Sequence, residues 1–226
     1  MFKEFSMIFS LIIIHELGHL LLAIIYKWNL SNITIYPFGG CVKFDDKINR
    51  SIKEEFIILI CGPIAQLLFF FFLCFLSSKG LITYRNLKLI ENYNYTLLIF
   101  NLLPIYPLDG GRILNLVLNY FFPYKKSNLL VIFISVTIIF ISLFFYRDIN
   151  YILMGILLFT EIIIYFKRQN YLYNRLLLER YINPIRFKKF KIIDNKDSMY
   201  KDKRHIILYK NKYITEKDYL NRRFKR

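Results

Sequence analysis

Cysteine is scarce in this chain, and the spacing of its cysteines carries no functional signal. The 226 residues include three, Cys41, Cys61 and Cys74. They have neither the paired spacing of a cysteine-ligated metal site nor the even number of a disulfide framework. We therefore expect all three to be reduced and to act as small apolar residues. This excludes a disulfide-rich scaffold.

Long apolar runs, in contrast, are abundant. Hydrophobic residues make up 56% of the chain, with 23 Phe and 18 Tyr. A soluble domain could not bury that much apolar surface, so the composition indicates a polytopic α-helical membrane protein of about five transmembrane helices. The segments that we expect to span the membrane are Phe5–Tyr26, Phe56–Ser77, Tyr95–Phe122, Asn128–Phe145 and Ile149–Phe166. The first is too long for the apolar region of a cleaved signal peptide.

Acidic residues are half as frequent as basic ones, 16 against 32, and the excess is concentrated near the end. Residues 168–226 contain 18 Lys and Arg but only 6 Asp and Glu. We therefore divide the chain into a membrane domain, 1–167, and a basic tail, 168–226. Basic residues beside a last span are typical of the cytoplasmic side, which predicts a cytoplasmic C-terminus. The tail has no recognisable RNA- or DNA-binding motif, so we expect no nucleic-acid partner.

Only three histidines are present, and two of them have an informative spacing. His15 and His19 stand four residues apart around Glu16, in the middle of the first apolar segment. Residues four apart share one face of a helix, so both rings can reach one metal ion, and Glu16 can act as general base toward a water on that metal. Polar side chains inside a span are costly, and a metal site accounts for them. The alternative is an accidental match with histidines that only pack.

A hydrolytic zinc site needs a third protein ligand, also at membrane depth. Asp109 is the only acid within Tyr95–Phe122. Pro104 and Pro107 do not fit a regular helix, and together with the following Gly-Gly pair they predict locally non-helical backbone, which membranes tolerate only beside protein or a wet cavity. Asp109 is therefore the candidate third ligand. The alternative is that Asp109 caps a helix beginning at Gly110.

Together the two motifs resemble those of a known family. His-Glu-Leu-Gly-His at 15–19 and Asn-x-x-Pro-x-x-Pro-x-Asp-Gly-Gly-Arg at 101–112 are similar to motifs of the site-2 protease family of intramembrane zinc metalloproteases (peptidase family M50). Within it, they most resemble the branch of the stage IV sporulation protein FB. Gly39-Gly40 and Gly62-Pro63 resemble two lesser motifs of the family, and the likeness covers residues 10–165.

This resemblance implies a role for each motif residue. His15, His19 and Asp109 would hold one Zn²⁺, and Glu16 would be the catalytic residue that activates water. Asn101 and Pro107 would hold or orient the substrate. Gly39 and Gly40 would lie in a membrane-dipping loop that pairs with an extended substrate, because an unwound transmembrane segment needs new hydrogen-bond partners.

The resemblance further implies an enzyme of the bacterial cell membrane that cleaves a membrane-anchored regulatory protein near the cytoplasmic face. The sporulation branch suggests a sigma-factor precursor as substrate, and the wider family an anti-sigma factor. The lipid bilayer and membrane proteins that restrain the enzyme are the other implied partners. Two alternatives remain: a catalytically silent membrane scaffold, which has no need of Glu16 and Asp109, and a proton-relay transporter.

The sequence departs from the family pattern in three places. The chain begins close to the His15 motif, where close relatives have a further span, so either this span is lacking or the start is misplaced. Gln66 stands where many members carry Asn, and we predict no role for it in the site. The branch commonly ends in a nucleotide-sensing CBS domain; residues 205–220 are interpreted as strand, turn and short helix, a degenerate remnant of it, and 169–180 as a basic helix on the membrane surface.

Overall fold

The computed structural model describes residues 2–28, 30–36, 39–44, 48–145, 148–183, 187, 189–194, 198–209 and 212–224. Its elements, in chain order, are α1 (Phe2–Ile25), β1 (Leu30–Tyr36), β2 (Gly39–Phe44), α2 (Ile52–Ser78), α3 (Tyr84–Leu102), α4 (Asp109–Phe121), α5 (Tyr124–Phe145), α6 (Ile149–Lys167), α7 (Gln169–Ile182), β3 (Phe190–Ile193), β4 (Arg204–Tyr209), β5 (Lys212–Thr215) and α8 (Glu216–Phe224). They form two compact units. The first comprises residues 1–46 and 53–103, and the second 47–52 and 104–226. The predicted division of the chain at residue 167 stays a prediction.

Four helices are long and apolar enough to cross a membrane, judged by length and composition: Glu4–Ile25, Ile52–Ser78, Tyr124–Phe145 and Ile149–Lys167. They support the predicted class, a polytopic helical membrane protein. The third predicted span, Tyr95–Phe122, consists of two helices, α3 and α4, with non-helical backbone at residues 103–108. The prolines predicted this break, because a proline in a helix removes an amide donor and clashes one turn back. The count of five spans stays a prediction.

In the first unit, α1 and α2 approach each other closely at Gly18. A Cβ atom on Gly18 would lie 2.6 Å from the carbonyl oxygen of Cys61 and 2.7 Å from the Cβ of Ala65, so only glycine fits there. Farther along these helices, Leu11 of α1, Phe70 of α2 and Ile90 of α3 form a buried apolar cluster. The side chains that face outward are also apolar, as expected for helices in lipid.

The strands of the first unit, β1 and β2, pair antiparallel and lie between α1 and α2 in the chain. Tyr36 pairs with Gly39 and Ile35 with Gly40, so the two glycines are the first residues of β2. The prediction that this segment dips into the membrane and binds substrate is not tested by this pairing itself and stays a prediction.

In the second unit, the break before α4 is held by α5 and α6. The backbone amide of Tyr106 donates to the hydroxyl of Ser135 on α5, at 2.9 Å. The Tyr106 ring stacks on that of Tyr165 on α6, with 4.0 Å between ring centres. A Cβ on Gly111 would meet the backbone of Ile105 and Tyr106, so the first turn of α4 packs directly against the break. These contacts fix the start of α4, where Asp109 lies.

The end of the chain packs around a core that also includes Tyr124, the first residue of α5. Strands β3, β4 and β5 form a sheet in that order, with β3 parallel to β4 and β5 antiparallel to it. Apolar residues of α7, α8 and the sheet form its core: Tyr173, Leu176, Leu177, Ile193, Met199, Ile207, Tyr219 and Leu220. The strand and helix predicted within 205–220 are found, with a further strand, β5, between them. The predicted helix after residue 168 is found as well, and one face of it packs in this core. Its position on a membrane surface stays a prediction.

A buried ion-pair network ties α7 to the rest of the second unit. Arg180, 4% exposed, donates to Glu216 Oε1 at 3.0 Å, to Asn49 Oδ1 at 2.7 Å and to three backbone carbonyls. Glu179 beside it accepts from the backbone amides of Ile48 and Asn49, at 3.0 and 3.2 Å. The segment that leads into α2 is thereby bound to α7.

Candidate metal centre

The two histidines of the motif lie together on the buried side of α1. His15 and His19 are 2% and 5% exposed, and their rings are nearly perpendicular. Their Nε2 atoms are 3.2 Å apart. The helical spacing that predicted a shared face therefore brings one nitrogen of each ring to the same point.

The other nitrogen of His15 is oriented by an amide. His15 Nδ1 lies 2.9 Å from Gln66 Oε1 on α2, and Gln66 Nε2 donates to the backbone and side-chain oxygens of Asn94 on α3, each at 3.0 Å. A backbone carbonyl only accepts, so the amide nitrogen of Gln66 must face Asn94 and its oxygen must face His15. His15 Nδ1 is then the protonated nitrogen of the ring.

His19 is oriented by the backbone of α2. Its Nδ1 lies 2.8 Å from the carbonyl oxygen of Ile58, which can only accept a hydrogen bond. Pro63, inside α2, has no amide to donate to the carbonyl of Leu59, the residue next to this acceptor. In the neutral ring of His19, too, Nδ1 therefore carries the proton and Nε2 carries the lone pair.

This pair of tautomers is suited to a cation. Two unprotonated nitrogens 3.2 Å apart repel each other unless a proton or a metal ion lies between them. Zinc–nitrogen distances of about 2.0–2.1 Å in a tetrahedral site put two ligand nitrogens about 3.3 Å apart, close to the observed separation. Histidines that hold zinc usually donate their other N–H to an oxygen, as both do here. The donor set thus fits zinc.

A glycine on α2 makes room for the second ring. A Cβ added to Gly62 would collide with Nε2, Cε1 and Cδ2 of His19. Any larger residue at this position would push the imidazole away from His15. The family-like Gly-Pro motif at 62–63 therefore has a physical function, which is space for His19.

The other site residues predicted from the sequence lie as follows. Glu16 is half-buried on α1, between the two histidines in sequence. Asn101 is half-buried in the last turn of α3 in the first unit, and Pro107 is half-buried in the break of the second unit. Gly39 and Gly40 begin β2. The catalytic role of Glu16 and the substrate-binding roles of the others stay predictions.

Asp109 belongs to the second unit, where it is the first residue of α4 and 9% exposed. The helix begins one residue earlier than the capping alternative supposed. The residue before the helix is Leu108, whose side chain makes no capping hydrogen bond, and Asp109 already lies inside the first turn. A carboxylate in the first turn of a helix interacts favourably with the helix dipole.

The residues that orient the histidines were not predicted from the sequence. Gln66 is completely buried and holds His15, although we predicted no role for it. One signal was available, since an amide inside an otherwise apolar span is costly unless it has a partner. Its partner Asn94 precedes the third predicted span and gave no such signal.

Comparison with known proteins agrees with this geometry. The model of peptidase family M50 matches residues 4–88 and 80–143, which is more than half of the chain. The chain belongs to this family. The family predicted from the two motifs is thereby confirmed.

Two sequence relatives and one solved structure illustrate the likeness. The chain is 31% identical over 188 residues to the stage IV sporulation protein FB of Bacillus subtilis, covering 79% of the chain and 64% of that protein. It is 32% identical over 160 residues to a zinc metalloprotease of Methanocaldococcus jannaschii, covering 69% and 46%. The site-2 protease structure from M. jannaschii matches with a TM-score of 0.59 and 29% identity, covering 71% of this chain and 76% of that one. The chain spans less than two thirds of the length of both sequence relatives.

Proposed function

We propose that this chain is an intramembrane zinc metalloprotease in which His15, His19 and Asp109 hold one Zn²⁺. The observation that carries the proposal is the arrangement of the two histidines, whose Nδ1 atoms are held by oxygens and whose Nε2 atoms converge. Asp109 is the third ligand because it is a buried acid in the second motif and begins a helix. An ionised carboxylate with two neutral imidazoles is a common donor set for hydrolytic zinc.

Zinc held there would supply the Lewis acid that activates water and polarises a peptide carbonyl. Glu16 then acts as the general base and acid. It takes a proton from the attacking water as the oxygen adds to the carbonyl carbon, and it returns that proton to the amide nitrogen as the peptide bond breaks. The balance is one water consumed for one peptide bond, with one new carboxyl and one new amine.

The substrate of the proposed enzyme is a membrane-anchored regulatory protein, cut near the cytoplasmic face. A helical peptide bond is shielded by its own hydrogen bonds, so the substrate must unwind locally. In the described residues, β1 and β2 form a sheet of two strands, so each strand has an outer edge at which an extended segment can pair. Gly39, Gly40, Asn101 and Pro107 are the proposed substrate contacts.

The likeness to a sporulation protein favours a sigma-factor precursor over an anti-sigma factor as the substrate. Membrane proteins that restrain the enzyme are the remaining proposed partners. The basic tail supports a cytoplasmic C-terminus for a protein of the bacterial cell membrane. A silent scaffold that binds such proteins without cutting them is the second candidate, and it is favoured only if the metal ligands serve no chemistry.

Co-expression of the full chain with a membrane-anchored sigma-factor precursor tests the proposal. We expect wild type to shorten the precursor and Glu16→Gln to leave it intact while keeping zinc. Glu161→Gln is the matched control, because Glu161 is the half-buried acid of another apolar helix, α6, and has no proposed role. Cleavage by Glu16→Gln at the wild-type rate would exclude the general base, and an intact precursor with zinc-loaded wild type would favour the scaffold.

A further inference from the structure

Three lysine ammonium groups of the second unit gather around two tyrosine rings. Lys189 Nζ lies 5.4 Å from the centre of the Tyr120 ring, and Lys203 Nζ lies 5.9 Å from the same centre. Lys203 Nζ is also 4.5 Å from the centre of the Tyr200 ring, and Lys191 Nζ is 4.2 Å from it. Lys189, Lys191 and Lys203 form the lysine cluster.

The lysine cluster holds like charges together, with no carboxylate of the described residues beside them. Among the described residues, no carboxylate lies within ion-pair distance of any of the three ammonium groups. The tyrosine rings attract each ammonium through their π faces but do not neutralise it. Three positive charges kept close in this way favour the binding of an anion.

The lysine cluster has hydrogen-bond donors to offer such an anion. Lys203 Nζ donates to the carbonyl oxygen of Tyr120 at 3.4 Å, and Lys191 Nζ donates to the hydroxyl of Tyr200 at 2.7 Å. Each ammonium group has three N–H donors, so these two bonds use only a small part of the total. A tetrahedral phosphate, with several acceptor oxygens, matches such a group of donors.

The position of the lysine cluster indicates which anion it meets. Tyr120 lies in the last turn of α4, just before α5, one of the helices apolar and long enough to span a membrane. The backbone amide of Tyr124, the first residue of α5, donates to the carbonyl of Met199 at 2.9 Å, next to Tyr200. The cluster is therefore fixed at the start of a membrane helix. Tyrosine is enriched at this boundary, where headgroups lie.

Apolar side chains are exposed on α4, which carries Tyr120, and on α5, which follows it. Phe121 at the end of α4 is 62% exposed, and Leu129 and Phe133 on α5 are 48% and 70% exposed. Leu129 and Phe133 are four residues apart and so share one face. Acyl chains can pack on such a surface, whereas a free phosphate ion gains nothing from it.

We propose that Lys189, Lys191 and Lys203 bind the phosphate of an anionic phospholipid at the start of α5. The site is independent of the zinc centre and of the proposed protease activity, since it uses other residues of the second unit. It holds the folded end of the chain against the membrane surface through a specific headgroup as well as through its overall charge.

Lipid selectivity of the reconstituted full chain tests the site. The measurement is the association of spin-labelled phosphatidylglycerol relative to spin-labelled phosphatidylcholine, by electron spin resonance, in vesicles of mixed phosphatidylcholine and phosphatidylglycerol. The test variant changes the lysine cluster to Gln at all three positions. The matched control changes three other exposed lysines, Lys88, Lys212 and Lys217, to Gln, which alters the net charge equally.

We expect the selectivity for phosphatidylglycerol to fall at least about fivefold in the test variant and to stay near wild type in the control. A variant with Arg at the three positions keeps the charges, and we expect it to keep the selectivity. This control distinguishes loss of charge from misfolding in the Gln variant. Unchanged selectivity in the Gln variant would overturn the site, as would an equal fall in the control. Displacement of the labelled lipid by excess inorganic phosphate would assign the cluster to a free anion and overturn the lipid proposal.

Discussion

Two buried histidine networks, one in each unit, use similar residues in opposite ways. In the second unit, His205 has both ring nitrogens hydrogen-bonded to the protein. Its Nε2 accepts from the backbone amide of Tyr200 at 2.9 Å, and its Nδ1 donates to Glu216 at 3.1 Å. In the first unit, His15 and His19 each have one nitrogen held by an oxygen, while the other nitrogens face each other.

The difference separates a structural histidine from a ligand. A ring with both nitrogens held in hydrogen bonds has a fixed tautomer and no lone pair to offer, and it stabilises the fold. In a ring with one nitrogen hydrogen-bonded to an oxygen, that bond fixes the tautomer, and the other nitrogen presents a lone pair at a defined point. Burial alone does not distinguish the two, since all three histidines are buried.

The largest effects are expected when one histidine ring of each kind is removed. We expect His19→Ala to lower zinc affinity by more than about a hundredfold, because a ligand is lost. We expect His205→Ala to leave zinc content unchanged and to make the second unit more sensitive to protease, because Glu216 loses its partner. Zinc analysis of detergent-purified protein, beside limited proteolysis, measures both. Loss of zinc in His205→Ala would make the distinction wrong.

The buried network of Arg180, His205 and Glu216 in the second unit is expected to contribute more to stability than a surface ion pair does. Arg180→Ala leaves the Glu216 carboxylate buried without its cation, a change that typically costs about 3–5 kcal/mol. The matched control is Arg175→Ala, because Arg175 makes a partly exposed pair with Glu179 at 3.3 Å and should cost under about 1 kcal/mol. Pulse proteolysis of the tail across a urea series gives both free energies of unfolding. Equal costs would show that the buried network is no stronger than a surface pair.

Gln66 allows a finer test, because it orients the ligand His15 without itself binding the metal. We expect Gln66→Leu to lower zinc affinity about 10–100-fold, since His15 would lose the acceptor that fixes its tautomer. Gln169→Leu is the control, as Gln169 has a half-buried side-chain amide that is bonded to Asn128 in the second unit. Competition with a chelator gives the two affinities. An affinity of Gln66→Leu equal to wild type would mean that the tautomer of His15 is set in another way.

Acid is expected to affect the second network in a predictable direction. Burial raises the pKa of Glu216, but the hydrogen bond from His205 and the charge of Arg180 outweigh it, so the net pKa is below the usual range. Burial lowers the pKa of His205, which outweighs the effect of Glu216. Each group therefore binds fewer protons when folded than when unfolded.

The direction in which folding stability changes with pH follows for both groups. His205 contributes stability above its unfolded pKa of about 6.5, and this is lost as the pH falls from there through its lower folded value. Glu216 contributes stability above its unfolded pKa of about 4.3, and this is lost at still lower pH. We expect the urea midpoint of the tail to fall from pH 8 to pH 5, and less so in His205→Gln. A midpoint that rises on acidification would contradict these shifts.

The sequence predicted the local parts of the site and not the distant ones. His15 and His19 were predictable because four residues make about one turn of a helix. The break at 103–108 was predictable because proline lacks an amide and clashes in a helix. Gln66 was not, since it meets His15 across 51 positions, and only the packing of α2 on α1 brings the two together.

The end of the chain shows the same limit. The strand near His205 and the helix near Glu216 have clear local patterns and were predicted. β3 has four residues and owes its existence to pairing with β4, so its own sequence gave little signal. The ion pair of Arg180 with Glu216 joins residues 36 positions apart, and no local pattern marks it.

The central claim is that His15, His19 and Asp109 hold one zinc ion and that Glu16 does the proton chemistry. Zinc per chain, by elemental analysis of the detergent-purified full chain, tests it most directly in wild type, Asp109→Ala and Glu16→Gln. We expect about one zinc in wild type and in Glu16→Gln, and a strong loss in Asp109→Ala. Well-folded wild type without zinc, or Asp109→Ala with its zinc intact, would contradict the claim.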